Sequence, residues 1–434
     1  MRGMESPEAA IERRNFERMD ADQLAAHQLE RLNNLLATIL PANRFYADKL
    51  RDVSVPLESL DQLAQLPYTL KAELAGGPNQ SLANNHTWPR NAYVRWHQTS
   101  GTRGRPMVVM DTEEDWLWCV DAWQYVLDAA EVTKDDVCFL AFSFGPFIGF
   151  WFGFDAAAWR NCMVVPGGGM GTLSRIEMLR TSGATCLFCT PSYALHLAEV
   201  AAQHNIDVAA LDVRCLILAG EPGASVPAIR QRLESTFAAR VVDHSGATEV
   251  GPWGYGRSDG RGLHVIESEF IAEFFSVETG LPAAEGDLAE LVLTTLGRHG
   301  APVIRYRTGD LVRPTWQHDG ENRFVLLEGG VLGRVDDMMI IRGVNIYPSS
   351  IEQILRSFPE VVEYRMTVFK EQEMDRLLIE VEDRLDNPQR LEEELRLRLS
   401  LKVAVQSVPL GSLPRYEAKG KRFVDQRGTV DASS

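Results

Sequence analysis

The segment Val213–Glu249, VRCLILAGEPGASVPAIRQRLESTFAARVVDHSGATE, decides the fold. Its first apolar run ends in a glycine turn, residues 226–237 have helical spacing, and a second apolar run leads to another glycine. A strand, a helix and a strand in this order predict a βαβ unit with two parallel strands. Ligands of such sheets bind beyond the carboxyl ends of the strands, so both turns are candidate binding segments.

The same alternation extends over residues 135–250. The runs VCFLAF, CMVVP and ATCLFCT predict further strands, and LSRIEMLRTSG and YALHLAEVAAQHN predict helices. Residues 7–37 have helical spacing, whereas residues 263–332 are rich in predicted strands. The fold class is therefore α/β, with a parallel sheet in a large N-terminal region.

A smaller unit follows Gly333. It contains a predicted helix with Ser349 and Ser350 as candidate N-caps, then two strands and a charged helix. This order indicates an α+β unit. We predict two domains, residues 1–333 and residues 334–434.

Composition excludes several classes of protein. The chain has 434 residues, a formal net charge of −16 and 24% charged residues. An acidic chain lacks the basic stripe that nucleic acid binding needs. The apolar run of residues 137–159 is broken by glycines and Pro146, so it does not predict a membrane span. The N-terminal residues lack an apolar signal segment. Four of the six cysteines are scattered, and Cys186 and Cys189 of the CLFC run are expected as two thiols along a buried strand, so we expect reduced thiols and a cytoplasmic protein.

Seven motifs follow one another along the chain. The first is HQTSGTRGRP (97–106), rich in glycine, hydroxyl groups and arginine; the others are AGEP (219–222), SGATE (245–249), RYRTGD (305–310), GRVDD (333–337), GVNIYP (343–348) and LPRYEAKGKR (413–422). In this order they resemble the phenylacetate–CoA ligase branch of the acyl-adenylate-forming enzymes. The resemblance runs from Leu32 to Arg427 and implies a large adenylation domain with a small mobile cap.

The resemblance implies an ATP site. Its members are Thr99, Ser100, Gly101, Thr102, Gly104, Arg105, Gly220, Glu221, Pro222, Ser245, Gly246, Ala247, Asp310 and Arg334. Glycines in the first loop let backbone amides approach a polyphosphate. Asp310 would accept hydrogen bonds from both ribose hydroxyls, and Arg334 would reach the nucleotide. Ser245 stands where the family usually has an aromatic ring that stacks on adenine.

The resemblance also implies three catalytic residues. Thr248 would donate to the α-phosphate, and Glu249 would help to hold Mg²⁺, a cation that prefers oxygen ligands. Lys419 would bridge the substrate carboxylate and the α-phosphate, and so neutralise charge between two anions. In the small domain, Asp336 falls at the hinge position, and Gly343 would line the tunnel for CoA.

The substrates that follow are ATP, CoA and a small carboxylic acid. Phe144, Phe147, Ala219, His244 and Trp253 are candidates for the acyl pocket, and aromatic rings beside glycines favour an aryl or arylacetic acid. The same rings could instead pack the core. Three alternatives stay open: loading of a carrier protein, AMP transfer to a cofactor hydroxyl, and a non-catalytic nucleotide-binding paralogue. The oligomeric state is open between a monomer and a homodimer.

Overall fold

A computed structural model gives the fold. It describes residues 6–75, 81–99, 106–256, 259–316, 321–335, 339–341, 344–371, 374–399, 403–414 and 422–427. In this part of the chain, no helix is long and apolar enough to cross a membrane.

Helices and strands alternate along most of the chain. The α-helices are α1 (Pro7–Glu17), α2 (Ala21–Ile39), α3 (Arg44–Lys49), α4 (Lys71–Leu74), α5 (Glu113–Ala129), α6 (Trp151–Trp159), α7 (Thr172–Ser182), α8 (Pro191–Gln203), α9 (Pro227–Phe237), α10 (Pro348–Arg356) and α11 (Pro388–Leu399). Three short 3₁₀ turns span Leu60–Gln65, Arg90–Ala92 and Val208–Ala210.

The strands come in two blocks. The first block is β1 (Arg95–Gln98), β2 (Val108–Asp111), β3 (Val137–Leu140), β4 (Met163–Pro166), β5 (Cys186–Cys189), β6 (Cys215–Ala219), β7 (Arg240–Ala247), β8 (Gly251–Gly256) and β9 (Gly262–Val265). The second is β10 (Phe270–Ser276), β11 (Ala289–Thr295), β12 (Tyr306–Val312), β13 (Pro314–Thr315), β14 (Leu326–Glu328), β15 (Gly333–Arg334), β16 (Met339–Ile341), β17 (Val344–Ile346), β18 (Val361–Glu371), β19 (Met374–Asp383), β20 (Ala404–Ser407) and β21 (Phe423–Asp425).

The largest sheet has nine strands in the order β13-β14-β9-β8-β7-β6-β5-β3-β4. Strands β7, β6, β5, β3 and β4 are parallel, which confirms the predicted α/β class. Alternate residues of these strands belong to two hydrophobic clusters: Ile217 faces one, and Leu216 and Leu218 face the other. Because helices cover both faces, the strands read as continuous apolar runs rather than as alternating patterns.

The cysteines are all free and buried. Cys186 and Cys189 of the CLFC run lie on the single strand β5, and they belong to the clusters on opposite faces of the sheet. Such side chains cannot bind one metal ion or form one disulfide, since successive residues of a strand point to opposite faces.

A second sheet, in the order β10-β11-β12-β15, is antiparallel. The C-terminal unit, residues 339–427, has its own sheet in the order β20-β19-β18-β21, and α10 and α11 pack on it. One hydrophobic cluster, from Met339 to Phe423, belongs entirely to this unit.

The helical spacing of residues 7–37 is confirmed and belongs to two helices, because Asp20 caps the second through a hydrogen bond from the backbone N–H of Gln23. One local prediction needs correction. Ser349 and Ser350 are not N-caps: they lie inside α10, whose cap position is Tyr347. Pro348 begins the helix, since its fixed φ suits the first position and its missing N–H leaves no donor unpaired there.

Candidate active site

Two of the sequence motifs meet at one edge of the large sheet. Strands β6 and β7 are parallel neighbours, with Ala219 paired to His244, so AGEP and SGATE leave the same edge. Gly220 has φ +94°, a region that favours glycine, and the turn after β6 depends on it. This places the predicted nucleotide turns side by side.

Glu249 is a buried carboxylate at this edge. The Tyr306 hydroxyl donates to its Oε1 at 2.8 Å, and Nζ of Lys71 lies 3.1 Å from the same oxygen. Burial favours the protonated form, but Lys71 and Tyr306 outweigh it and hold the pKa of Glu249 below its ordinary value. The group is therefore an ionised oxygen ligand at neutral pH.

Thr248 is held in place through its backbone. Arg298 donates from Nη1 to the Thr248 carbonyl at 2.9 Å, and its Nε and Nη2 donate to Oδ1 of Asp111 at 2.8 and 2.5 Å. Arg298 and Asp111 are both fully buried. This ion pair anchors the SGATE turn to the protein interior.

Asp310 lies on β12 of the second sheet. Its backbone partner across the sheet is Arg334, whose Nη1 donates to Oδ1 of Asp310 at 2.7 Å. Arg334 also donates to the Thr308 carbonyl at 2.8 Å. Gly309, which lies between Thr308 and Asp310 in the chain, has φ +74°. The structure thus brings together Asp310 and Arg334, two residues that the sequence assigned to the nucleotide.

The two sheets are linked by Tyr306. It belongs to β12, four residues before Asp310, and its ring is 2% exposed. Its hydrogen bond to Glu249 connects the YRTGD strand with the SGATE turn. The candidate Mg²⁺ and ribose residues are therefore parts of one site.

Ser245 and Gly246 lie at the end of β7, where a register shift interrupts its pairing with β8. Ser245 is half-buried and faces Gly254 across the strands. A Cβ on Gly246 would lie 3.0 Å from the Gly251 carbonyl oxygen, so this position has no room for a side chain. Ala247 completes the strand.

Glu221 of the AGEP motif contacts two parts of the molecule. Its Oε1 accepts from the Ser192 backbone N–H at 2.7 Å, and its Oε2 lies 3.7 Å from Nη1 of Arg422 in the C-terminal unit. Burial raises the pKa of Glu221 despite the nearby guanidinium. Pro222 follows it in the turn between β6 and α9.

The predicted acyl-pocket residues lie in different environments. Phe147 is 41% exposed, whereas Trp253 is 1% exposed within the main core cluster. Phe144 is half-buried with φ +49° and packs edge-on against Trp151 at 4.8 Å. A bulky residue with positive φ is uncommon and marks a strained segment.

His244 is buried near the carboxyl end of strand β7. Its Nδ1 donates to the Gly254 carbonyl at 2.8 Å, and its ring lies 4.3 Å from that of Trp123. Burial lowers its pKa to about 4, so the imidazole is neutral at pH 7.

The first glycine-rich loop begins at Thr99. Its backbone N–H donates to the Met107 carbonyl at 2.9 Å, and its hydroxyl accepts from the Met107 N–H at 3.0 Å. These bonds close the base of the loop. Eight predicted site residues lie outside the described residues: Ser100, Gly101, Thr102, Gly104, Arg105, Asp336, Gly343 and Lys419.

Sequence reasoning missed four residues that hold the site. They are Lys71, Asp111, Arg298 and Tyr306. Tyr306 stands within the RYRTGD motif, so it had a signal, whereas Lys71 precedes the first of the seven motifs. Asp111 and Arg298 are far apart in the chain and carry no motif.

The described residues offer few side chains that could bind a metal ion. No group of three or more His, Cys, Asp or Glu side chains in that part of the chain could hold a metal ion. Magnesium needs no such cage when substrate phosphates and water complete its shell. A single ionised carboxylate such as Glu249 fits this mode of binding.

Known proteins resemble this chain in sequence and in fold. The family described as AMP-binding enzyme matches residues 45–267, and the AMP-binding enzyme C-terminal domain matches residues 343–427. A phenylacetate–coenzyme A ligase of Thermus thermophilus is 31% identical over 374 residues, covering 85% of this chain and 83% of the relative. A phenylacetate–coenzyme A ligase of Escherichia coli is 30% identical over 441 residues, covering 96% of this chain and 98% of the relative.

Solved structures of a 2-hydroxyisobutyryl-CoA ligase match in two states. The postadenylation state with a bound acyl-AMP gives a TM-score of 0.88 at 26% identity, covering 95% of this chain and 91% of that one. The thioesterification state of the same ligase gives 0.71, with coverages of 95% and 92%. The fold is shared, and the arrangement of this chain is closer to that of the postadenylation structure.

Proposed function

The chain belongs to the AMP-binding enzyme family, among the ATP-dependent, acyl-adenylate-forming CoA ligases, and from that premise we propose that it joins an aryl or arylacetic acid to CoA. One observation carries the assignment of the site. The hydrogen bond from Tyr306 to Glu249 joins the strand of Asp310 to the SGATE turn, so a nucleotide held by one motif would have its phosphates at the other.

The reaction has two halves. In the first, an oxygen of the substrate carboxylate attacks the α-phosphorus of ATP, and pyrophosphate leaves. In the second, the thiol of CoA attacks the acyl carbon, and AMP leaves. Activation as a mixed anhydride gives the acyl group a good leaving group in place of oxide.

The described residues divide the first half-reaction between them. Asp310 accepts hydrogen bonds from the ribose hydroxyls, and Arg334 reaches the nucleotide while it fixes the Asp310 carboxylate. Arg298 fixes the backbone of Thr248, and the Thr248 hydroxyl donates to the α-phosphate. The adenine side of the site is formed by the two turns after β6 and β7, with residues Gly220, Glu221, Pro222, Ser245, Gly246 and Ala247.

Glu249 would hold Mg²⁺, which when bound would neutralise charge on the ATP phosphates. Lys71, whose side chain is 53% exposed, helps to keep the Glu249 carboxylate ionised for this role. Thr99 and the loop that follows it would surround the outer phosphates.

The acid is assigned from the aromatic residues. Phe144 and Phe147 follow β3, and Ala219, His244 and Trp253 lie on the paired strands β6, β7 and β8. The strained backbone of Phe144 supports a role beyond packing, because strain concentrates at functional sites. A neutral His244 would tolerate a flat apolar ring beside it.

The C-terminal unit would serve both half-reactions in turn. We place the domain boundary at Gly333, so that residues 334–434 form the cap, with the hinge at Asp336. Lys419 would enter the site for adenylation, and Gly343 would line the CoA tunnel after the cap rotates. The two TM-scores support this proposal, since the chain is closer to the postadenylation structure of that ligase than to its thioesterification structure. The buried free thiols suit the reducing cytoplasm where we expect the enzyme to act.

The test is an acid screen by ATP–pyrophosphate exchange, followed by mass spectrometry of the products with and without CoA. We expect exchange with aryl or arylacetic acids and an acyl-CoA product. An acylated carrier protein or an AMP ester in place of acyl-CoA would contradict the proposal, as would exchange with aliphatic acids alone.

A further inference from the structure

A cavity of about 180 Å³ lies between the large domain and the C-terminal unit. Ser192 and Glu199 of α8 and Arg232 of α9 line one side. Arg356, Arg384 and Arg422 line the other side, from the C-terminal unit. We call this the interdomain cleft. It borders the proposed ATP site, because Ser192 and Arg422 also contact Glu221, but no residue proposed for the ATP or acyl site lines it.

Two of the four arginines in the cleft have carboxylate partners. Arg422 donates from Nε and Nη2 to Glu363 at 2.6 and 3.0 Å. Arg356 lies 3.8 Å from the same carboxylate and 3.8 Å from that of Glu352. These two positive charges are balanced within the protein.

Arg232 and Arg384 differ from them. In the part of the chain that the structure describes, their guanidinium groups make no hydrogen bond or ion pair. Burial and the positive charges of Arg356 and Arg384 lower the pKa of Arg232, and the negative charge of Glu199 offsets them only in part. An anion between guanidinium groups that line opposite sides of a cleft relieves their repulsion.

The size of the cleft restricts the anion. Pockets for drug-sized ligands usually enclose about 300–1,000 Å³. At about 180 Å³ the interdomain cleft is too small for a nucleotide. Guanidinium groups bind phosphate through paired hydrogen bonds, so a small phosphate anion fits both the size and the charge.

We infer that the interdomain cleft binds a small phosphate anion, inorganic phosphate or pyrophosphate, between Arg232 of the large domain and Arg384 of the C-terminal unit. Each domain supplies one side of the site, so the site exists only in this mutual arrangement. A ligand that binds one arrangement shifts the population toward it. The anion therefore stabilises the postadenylation-like arrangement of the chain.

Calorimetric titration of the full chain with phosphate and, separately, with pyrophosphate tests the inference without any assay of activity. The variants are Arg232→Gln and Arg384→Gln, and the matched control is Arg180→Gln, an exposed arginine of α7 paired with Glu177. We expect the wild type and the control to bind alike. Each cleft variant should bind about tenfold more weakly or worse, because a hydrogen bond to a charged group is worth at least that factor.

The two anions distinguish the source of the ligand. Binding of phosphate, of pyrophosphate or of both supports the inference when the cleft variants weaken it and the control variant does not. Unchanged binding by both cleft variants would place the anion elsewhere, at the ATP site, and would overturn the inference. So would the absence of binding by the wild type. Arg384 is exposed, so its variant should fold even if Arg232→Gln does not.

Discussion

Glu249 and Asp310 are the two carboxylates of the proposed site, and the protein holds them in different ways. Glu249 is 7% exposed, and the turn that carries it is tied to the interior through Arg298 and Asp111. Asp310 pairs with Arg334 on the adjacent strand, whose side chain is 33% exposed. One carboxylate belongs to the core, whereas the other lies in a partly exposed pair.

The difference separates folding from binding. A change near Glu249 leaves a buried charge without its partner, which costs stability as well as activity. A change at Asp310 breaks a partly exposed pair, and such pairs contribute little to stability. The contacts around Glu249 therefore contribute to stability as well as to activity, whereas the contact of Asp310 affects mainly the affinity for ATP.

The largest effect is expected for Arg298→Met. Asp111 would keep a buried charge with no partner, and we expect the free energy of unfolding to fall by about 3–5 kcal/mol. Denaturant unfolding measures it. Arg261→Met is the matched control, because its pair with Glu328 is exposed and should cost under about 1 kcal/mol. Equal losses in the two variants would show that the buried Arg298–Asp111 pair stabilises the fold no more than an exposed pair does.

Glu249→Gln should lower the rate of pyrophosphate exchange by about 10²–10³, the usual effect of losing one electrostatic group that acts on the transition state. The shape of the side chain is kept, so Tyr306 can still donate to its oxygen. Glu328→Gln provides the control. A Glu249→Gln enzyme with wild-type exchange at every Mg²⁺ concentration would exclude a role for this carboxylate.

Asp310→Asn should weaken ATP binding about 10–100-fold, because hydrogen bonds to a charged group are each worth about 1.5–3 kcal/mol. Its free energy of unfolding should change by less than about 1 kcal/mol. Calorimetry with ATP and denaturant unfolding measure the two quantities. Unchanged affinity in the folded variant would refute the ribose assignment.

The smallest effect concerns pH. The folded-state pKa of His244 is about 4, below the ordinary value of 6.5, so the unfolded chain gains a proton first as the pH falls. Stability should therefore decrease from pH 6.5 toward pH 4. The variant His244→Gln should lose roughly 1 kcal/mol less per pH unit across that window. Parallel curves for variant and wild type would show that His244 does not titrate in this way.

The sequence predicted much of this structure, for reasons that can be named. Strands β5, β6 and β7 are buried on both faces and appear as apolar runs, and the runs of β6 and β7 lead to glycine. Their parallel order brings AGEP and SGATE to one edge, as expected. Helix α5 carried no comparable signal: buried side chains cover most of its faces, so no amphipathic spacing marks it.

The supports of the site were harder to predict. Asp111 and Arg298 are 187 residues apart and meet only because β2 and the segment after β11 pack together. No local pattern encodes such a contact. Ser349 and Ser350 were assigned as N-caps by residue type, whereas the helix starts at Pro348, two positions before a helix capped by Ser349 would start.

Our central proposal is that the C-terminal unit changes position between the two half-reactions that this one site carries out. Single-turnover kinetics of Lys419→Ala, with each half-reaction timed separately, test it most directly. Adenylate formation should fall by about 10²–10³, because the charge between carboxylate and phosphate is lost. Thioester formation from supplied acyl-adenylate should continue at the wild-type rate, and Gly343→Leu should show the reverse pattern. If Lys419→Ala slows both half-reactions equally in a folded protein, the claim is contradicted.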